Sequence, residues 1–359
     1  MRAAGSVSAC ARDIAVFCRF PEQARGGKSI RACDAADLAA FRRARLHGDA
    51  EQPVSVSTWR RSIAALDKRA ARARYEGLIA ELPFRYAGKT VRTPDGLQRI
   101  RVNTASEPDP GPAPVRFLAF GDYLTWRDVG LAGRLPGGRP DPSWRGLHDE
   151  RNCLSAGLLI FTGMRLGEAA SLLVTELPGI RSSAGRVPVI SLAAAVTKRS
   201  RARAVFPPLR LVRALHRYES IERGELAGRM RATGRYRAGD DTVLVRRAGP
   251  RSAGLADGRA VSAGKLDQLD PLTRRHLAGI DGSGELTGPL ALWLGDDGLP
   301  LHPAAWQAVF ARASDRCARF GFDVRATPHM LRHYVDGWVM WPAAASPLVA
   351  EPRVLVPAT

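Results

Sequence analysis

The chain has 359 residues, 45% hydrophobic and 25% charged, with 54 Lys and Arg against 35 Asp and Glu and a formal net charge of +19. That balance excludes a disordered chain and leaves enough apolar material for two hydrophobic cores. The excess of base calls for a polyanionic partner, nucleic acid ahead of an anionic membrane surface.

Only five of the basic residues are lysine. With abundant Ala, Gly and Pro, this preference for Arg also fits GC-rich coding DNA, which explains Arg over Lys better than base over acid. No apolar run approaches the ~18 residues of a membrane helix. The longest, Val187 to Val196, is interrupted by Pro188 and Ser191. Arg12 and Asp13 break the N-terminal stretch before a secretory core forms. Five scattered cysteines, none in a CxxC pair, argue against a zinc knuckle or a disulfide scaffold and for a reducing cytoplasm. These features predict a soluble, cytoplasmic protein without a metal site.

In chain order, Trp59, Ile63, Leu66 and Ala70 repeat at helical spacing. They predict a helix capped by Ser57 or Thr58 and running toward Tyr75. Arg60, Arg61, Lys68 and Arg69 fill its remaining surface, either as a solvated face or as a face for the DNA backbone. Residues 1–103 are expected to be a helical domain. Residues 104–114 follow, with four prolines in the last seven positions, and read as an extended linker. Residues 115–340 would form a second domain, with helices over Phe120–Val129, Leu147–Phe161, Met164–Leu173, Leu209–Arg223 and Pro303–Phe320, and another opened by Thr327. Between them, Val187 to Leu192 and Ala204 to Phe206 predict a small hairpin with Thr197 to Arg203 at its basic tip. Gly224 to Gly264 reads as a Gly/Arg-rich hairpin insertion around a strand at Thr242 to Arg247. Residues 341–359 carry four prolines and no helical period. The fold class expected is mainly α with a small β-sheet.

Two segments are physically alike: Thr162-Gly-Met-Arg165-Leu-Gly-Glu168 and Thr327-Pro-His329-Met-Leu-Arg332-His333. In each, a Thr occupies the position of an N-cap, and Pro328 suits the first helical position. In each, an Arg falls in the first turns, where the helix dipole disfavours a cation by a few tenths to about 1 kcal/mol. A bound anion reverses that sign, because backbone N–H groups and the guanidinium then converge on it. Arg165 and Glu168 share a helix face, as do His329 and Arg332. Taken singly, each pair is also compatible with a plain surface salt bridge or cap.

Together, and in this order with Thr197-Lys198 between them, these segments resemble the active-site boxes of tyrosine recombinases, the phage-integrase family. Val56 through Pro83-Phe84 is similar to that family's helical core-binding domain, so the resemblance covers most of the chain up to His333. It implies a helical core-binding domain followed by a tyrosine-recombinase catalytic domain. The activity implied is DNA strand transfer through a phosphotyrosine, with no cofactor and no metal. Without a divalent ion, charge growing on the nonbridging oxygens needs fixed cations, and two arginines supply them with bidentate geometry. The resemblance assigns this to Arg165 and Arg332, makes His329 a donor to the same phosphate or a proton handler, and makes Glu168 a buttress. Lys198 would protonate the leaving oxygen, a task for which Arg is too weak an acid. Arg199, Arg201 and Arg203 would favour that proton release by like-charge repulsion, and Arg199 and Arg201 would also contact DNA. The partner implied is double-stranded DNA, with homo-oligomers assembled on it, and no membrane.

The resemblance fails at the nucleophile, which stays unknown. Tyr334 is the last tyrosine of the sequence. Two residues past Arg332 on a helix is about 200° around the axis, which points Tyr334 away from the phosphate and toward packing. The expectation is an integrase truncated or frameshifted after His333 and impaired in catalysis. The alternative is a non-catalytic DNA-binding remnant.

Overall fold

Trp59, Ile63 and Leu66 are all buried in the computed structural model, on one face of the helix their spacing predicts. The structure describes residues 4–48, 53–93, 96–108, 111, 116–180, 187–198, 200–249, 252–255, 260–261 and 266–339. The irregular tail expected over 341–359 lies outside them. Contacts divide the chain into two compact units, 1–114 and 115–359. The described residues are mainly helical, with small sheets.

In the first unit, α1 (Ala4–Ala24), α2 (Ala35–His47) and α3 (Val56–Tyr75) close around Phe17, Leu38, Phe41, Trp59, Ile63 and Leu66. The cap of α3 is Ser55 rather than Ser57 or Thr58. Its Oγ accepts the Thr58 N–H at 3.3 Å. All three hydroxyls are competent caps, and the earliest leaves the longest helix.

Two features depart from the expected all-helical domain and free linker. Strands β1 (Tyr86–Thr93) and β2 (Gly96–Asn103) pair antiparallel as a hairpin. Both faces are largely exposed, so no alternation of apolar residues announces it. Residues 104–107 are tied down. Thr104 N donates to Arg85 O at 2.9 Å, Trp59 Nε1 to Ala105 O at 2.9 Å, and Arg42 Nε to Glu107 Oε1 at 2.7 Å. A buried indole N–H needs an acceptor, and here it pins the start of the Pro-rich stretch.

In the second unit, α4 (Phe120–Thr125) runs into a π-helical turn, Trp126–Leu131. Then come α5 (Asp149–Thr162), α6 (Leu166–Ala170), β3 (Ile190–Leu192), β4 (Arg203–Val205), α7 (Leu209–Ser220) and α8 (Glu222–Ala232). The core gathers Trp126, Leu158, Ile160, Trp293, Trp306 and Phe310, with Leu331 from the helix that begins at Pro328. Gly130 permits close approach of the π turn to a neighbouring helix. A Cβ there would stand 2.7 Å from Ala313 O.

The expected hairpin insertion is instead part of a five-stranded sheet. Strands β5 (Val243–Gly249), β6 (Ser252–Leu255) and β7 (Ala260–Val261) precede α9 (Pro271–Arg275), β8 (Leu277–Ile280) and β9 (Leu286–Pro289). The order is β7-β6-β5-β8-β9, with β5 parallel to β8 and the other pairs antiparallel. The short, Gly-containing β8 and β9 carry no period to read. Helices α10 (Ala305–Arg319) and α11 (Pro328–Val339) follow among the described residues. The helix expected over Met164–Leu173 shrinks to α6, because Leu173 leaves to bridge Ala291 and Leu172 O accepts the Leu292 N–H.

Part of the positive charge is internal. Arg274, 1% exposed, donates Nη1 to both Glu176 carboxylate oxygens at 2.8 and 2.9 Å. Arg316 donates to Val129 O at 2.8 Å, pairs with Asp141 at 2.6 Å and lies over the Trp144 and Phe320 rings. Arg151 and Arg223 are buried against the carbonyls of Leu294 and Ala291. These four side chains donate to carbonyl and carboxylate acceptors inside the fold. Among the described residues, no helix is long and apolar enough to cross a membrane, and no group of three or more His, Cys, Asp or Glu could hold a metal.

Candidate nucleic-acid interface and phosphate site

Helix α5 ends at Thr162, and Gly163 closes it in the left-handed region at φ 62°. A Cβ would be strained there, which is why the box needs this glycine. Thr162 belongs to the end of α5 rather than to the start of α6, correcting its expected role as an N-cap. Its Oγ1 accepts the Met164 N–H at 3.3 Å. The N-cap of α6 is Arg165, in extended conformation.

Glu168 organises the site. Its carboxylate is 2% exposed and accepts three donors: Arg165 N at 2.8 Å, Arg165 Nη1 at 2.9 Å and Arg203 Nη2 at 2.6 Å. Burial alone would raise its pKa. The Arg165 amide and the two guanidiniums together outweigh burial and hold the carboxyl below the usual glutamate value. Arg165 and Arg203 remain 39% and 34% exposed. The peptide behind them is held by Trp293, whose Nε1 donates to Ala169 O at 2.7 Å.

Arg203 lies on β4, opposite Leu192 of β3, and its Nη2 also reaches Gly163 O at 3.5 Å. In sequence it is only one of several arginines near Lys198, and no local signal assigns it to Glu168. Lys198 is exposed in the turn before β4. Thr197 closes that turn, its Oγ1 accepting from Arg201 N at 3.1 Å and donating to Arg201 O at 2.6 Å. The Arg201 side chain is exposed, while Arg199 lies outside the described residues.

The second box opens α11. Thr327 Oγ1 accepts the Met330 N–H at 3.2 Å, and the preceding Ala326 N donates to Ser314 Oγ at 3.2 Å. His329 is exposed, and its ring stacks on His333 one turn later at 4.3 Å. Arg332 is half-buried. A run of rings brings this helix to the end of α5: Tyr334 stacks on Phe120 at 5.7 Å, and Phe120 meets Phe161 at 6.2 Å. Phe161 sits four residues before Arg165. Thus Arg165, Glu168 and Arg203 are in contact, and the first turns of α11 lie beside the same end of α5. Tyr334 packs its ring against the main core.

The remaining candidates belong to the first unit and are not equivalent. Arg61 is engaged in a bidentate pair with buried Asp13, at 2.9 and 3.2 Å, holding α3 against α1. Arg61 stays about half exposed beside that pair, so its guanidinium is shared between the α1 carboxylate and the surface. Arg60 is half-buried, whereas Lys68 and Arg69 are exposed on α3.

No family model matches the chain, and no curated protein matches it. Solved structures similar to it include the Tn1549 transposon integrase in complex with a circular intermediate DNA, at 14% identity and a TM-score of 0.49, covering 93% of this chain and 80% of that one. The XerH site-specific recombinase bound to difH substrate is 15% identical with a TM-score of 0.48, covering 93% and 68%. The XerA recombinase is 12% identical with a TM-score of 0.33, covering 94% and 79%.

Proposed function

We propose that the chain binds double-stranded DNA and holds a backbone phosphate in a site of the tyrosine-recombinase kind. The observation that carries this reading is the arrangement around Glu168. One buried carboxylate fixes two partly exposed guanidiniums at the end of a helix, beside the box that contributes Arg332 and His329. Such a pre-set pair of planar cations suits a phosphate and costs little reorganisation when one binds. In proteins of that kind a tyrosine oxygen attacks phosphorus, the 5′ oxygen leaves with a proton, and the reverse step joins another strand. Lys198, at an exposed turn on the same hairpin as Arg203, is the residue to which this reading assigns that proton.

The non-catalytic reading is favoured by one further observation. Tyr334, two residues past Arg332, has its ring stacked on Phe120. We therefore propose DNA binding without strand transfer by these 359 residues. The test incubates the full chain with a pool of randomised, nicked duplexes and looks for a covalent protein–DNA adduct on a denaturing gel. No adduct, with salt-dependent binding retained, supports the proposal. An adduct abolished by Tyr334→Phe would overturn the non-catalytic reading. Absence of duplex binding at low salt would overturn both. Arg165→Ala and Arg332→Ala should each weaken binding roughly tenfold to a hundredfold, the worth of a charge-assisted hydrogen bond.

A further inference from the structure

The β1–β2 ribbon belongs to neither box, yet it concentrates charge. From Pro83 to Ser106 the chain has five basic residues and a single acid, Asp95. The pairing Tyr86↔Asn103, Gly88↔Arg101, Thr90↔Arg99 and Arg92↔Leu97 puts these eight residues on one face. That face carries three arginines and no carboxylate. Arg92, Arg99 and Arg101 are all exposed.

The guanidiniums are laid along the ribbon. Arg101 lies 3.7 Å over the Tyr86 ring. Arg99 crosses Gly88, where a Cβ would stand 2.7 Å from its Nε, so any side chain at 88 would displace it. The root is stapled to α3. Tyr86 Oη donates to Asp67 Oδ1 at 2.5 Å, and burial with that carboxylate pushes the phenol up to about 12. Leu97, beside the turn, is 76% exposed. A two-stranded ribbon bare on both faces is marginal by itself.

We propose that this ribbon enters the major groove of double-stranded DNA and holds it through Arg92, Arg99 and Arg101. The inference rests on the DNA-binding reading above. Eight-residue strands span roughly 26 Å, and the major groove, ~12 Å wide, admits a two-stranded ribbon. The arginine face meets phosphates and guanine edges, and Leu97 at the tip suits a thymine methyl. A bilayer is a poorer match: Leu97 and Ile100 lie on opposite faces, which leaves no single apolar side to insert.

The experiment measures binding of the full chain to a fluorescent 30-base-pair duplex of mixed sequence across a salt series. Arg92→Ala/Arg99→Ala/Arg101→Ala should lower affinity at least about tenfold. It should also flatten the plot of log K against log salt by about 0.9 for each phosphate no longer neutralised. The corresponding triple Lys variant should keep the slope. Arg92→Ala/Arg99→Ala, which spares the Tyr86 stack, should lie between, with an unchanged circular dichroism spectrum. A duplex whose cytosines carry glucosylated hydroxymethyl groups in the major groove should bind the natural chain more weakly, and should not weaken the triple Ala variant further. A folded double or triple Ala variant with the natural slope would overturn the ribbon proposal while leaving DNA binding intact. So would indifference of the natural chain to glucosylation, or a triple Ala variant that binds phosphatidylserine vesicles less well but duplex as before. No duplex binding by the natural chain would instead sink the DNA-binding reading itself.

Discussion

Glu168→Gln keeps the size of the side chain and removes the charge that holds Arg165 and Arg203. Breaking a fully dry ion pair from one side costs about 3–5 kcal/mol. Both arginines here are more than a third exposed, so water screens them, and about 2–3 kcal/mol is the appropriate figure. For a unit of this size that corresponds to roughly 4–12 °C in melting temperature. The pH dependence fixes the cause. The folded pKa of Glu168 lies below its ordinary value of 4.5. Its contribution is therefore full above that value and lost as the pH falls through the folded one. Calorimetry of the natural chain and the variant should show the gap at pH 7, narrowing below about pH 4.5 because the natural protein loses stability there. A shift under about 1 °C at pH 7, or a gap that stays constant into the acid range, would refute the assignment of Glu168 as the charged centre of the site.

Arg274→Ala should cost about 3–5 kcal/mol in urea unfolding, since it strands Glu176 in the interior. Burial already holds Glu176 above the usual glutamate value despite Arg274, so here the variant should recover at acid pH by burying a neutral carboxyl. Gly130→Ala should cost about 1–3 kcal/mol, because its Cβ would meet Ala313 O at 2.7 Å, and thermal melting reads it. Arg61→Ala should destabilise the first unit by about 1 kcal/mol through loss of the Asp13 pair and leave the salt slope of duplex binding unchanged. Lys68→Ala and Arg69→Ala should each reduce that slope by about 1 without a change in melting temperature.

The features legible in the amino-acid sequence are local ones. The spacing of Trp59, Ile63 and Leu66, the Thr327-Pro328 opening of α11 and the strands either side of Lys198 each need only neighbours within a few residues. The order of the boxes is likewise a property of the sequence alone. The β1–β2 ribbon is invisible there because a strand exposed on both faces has no period. The five-stranded sheet is invisible because β8 and β9 are too short to show one. The destinations of the arginines are decided only by the tertiary structure. By sequence, Arg203 is a charged neighbour of Lys198 with no link to Glu168, while Arg151, Arg223, Arg274 and Arg316 are merely part of a charge of +19. Arg203 finds Glu168 35 residues away, Arg274 finds Glu176 98 residues away, and Arg316 finds Val129 O 187 residues away. A guanidinium is long, flexible and satisfied by any well-placed acceptor. Sequence therefore determines how much positive charge the protein carries, but only folding divides it between the interior and a partner.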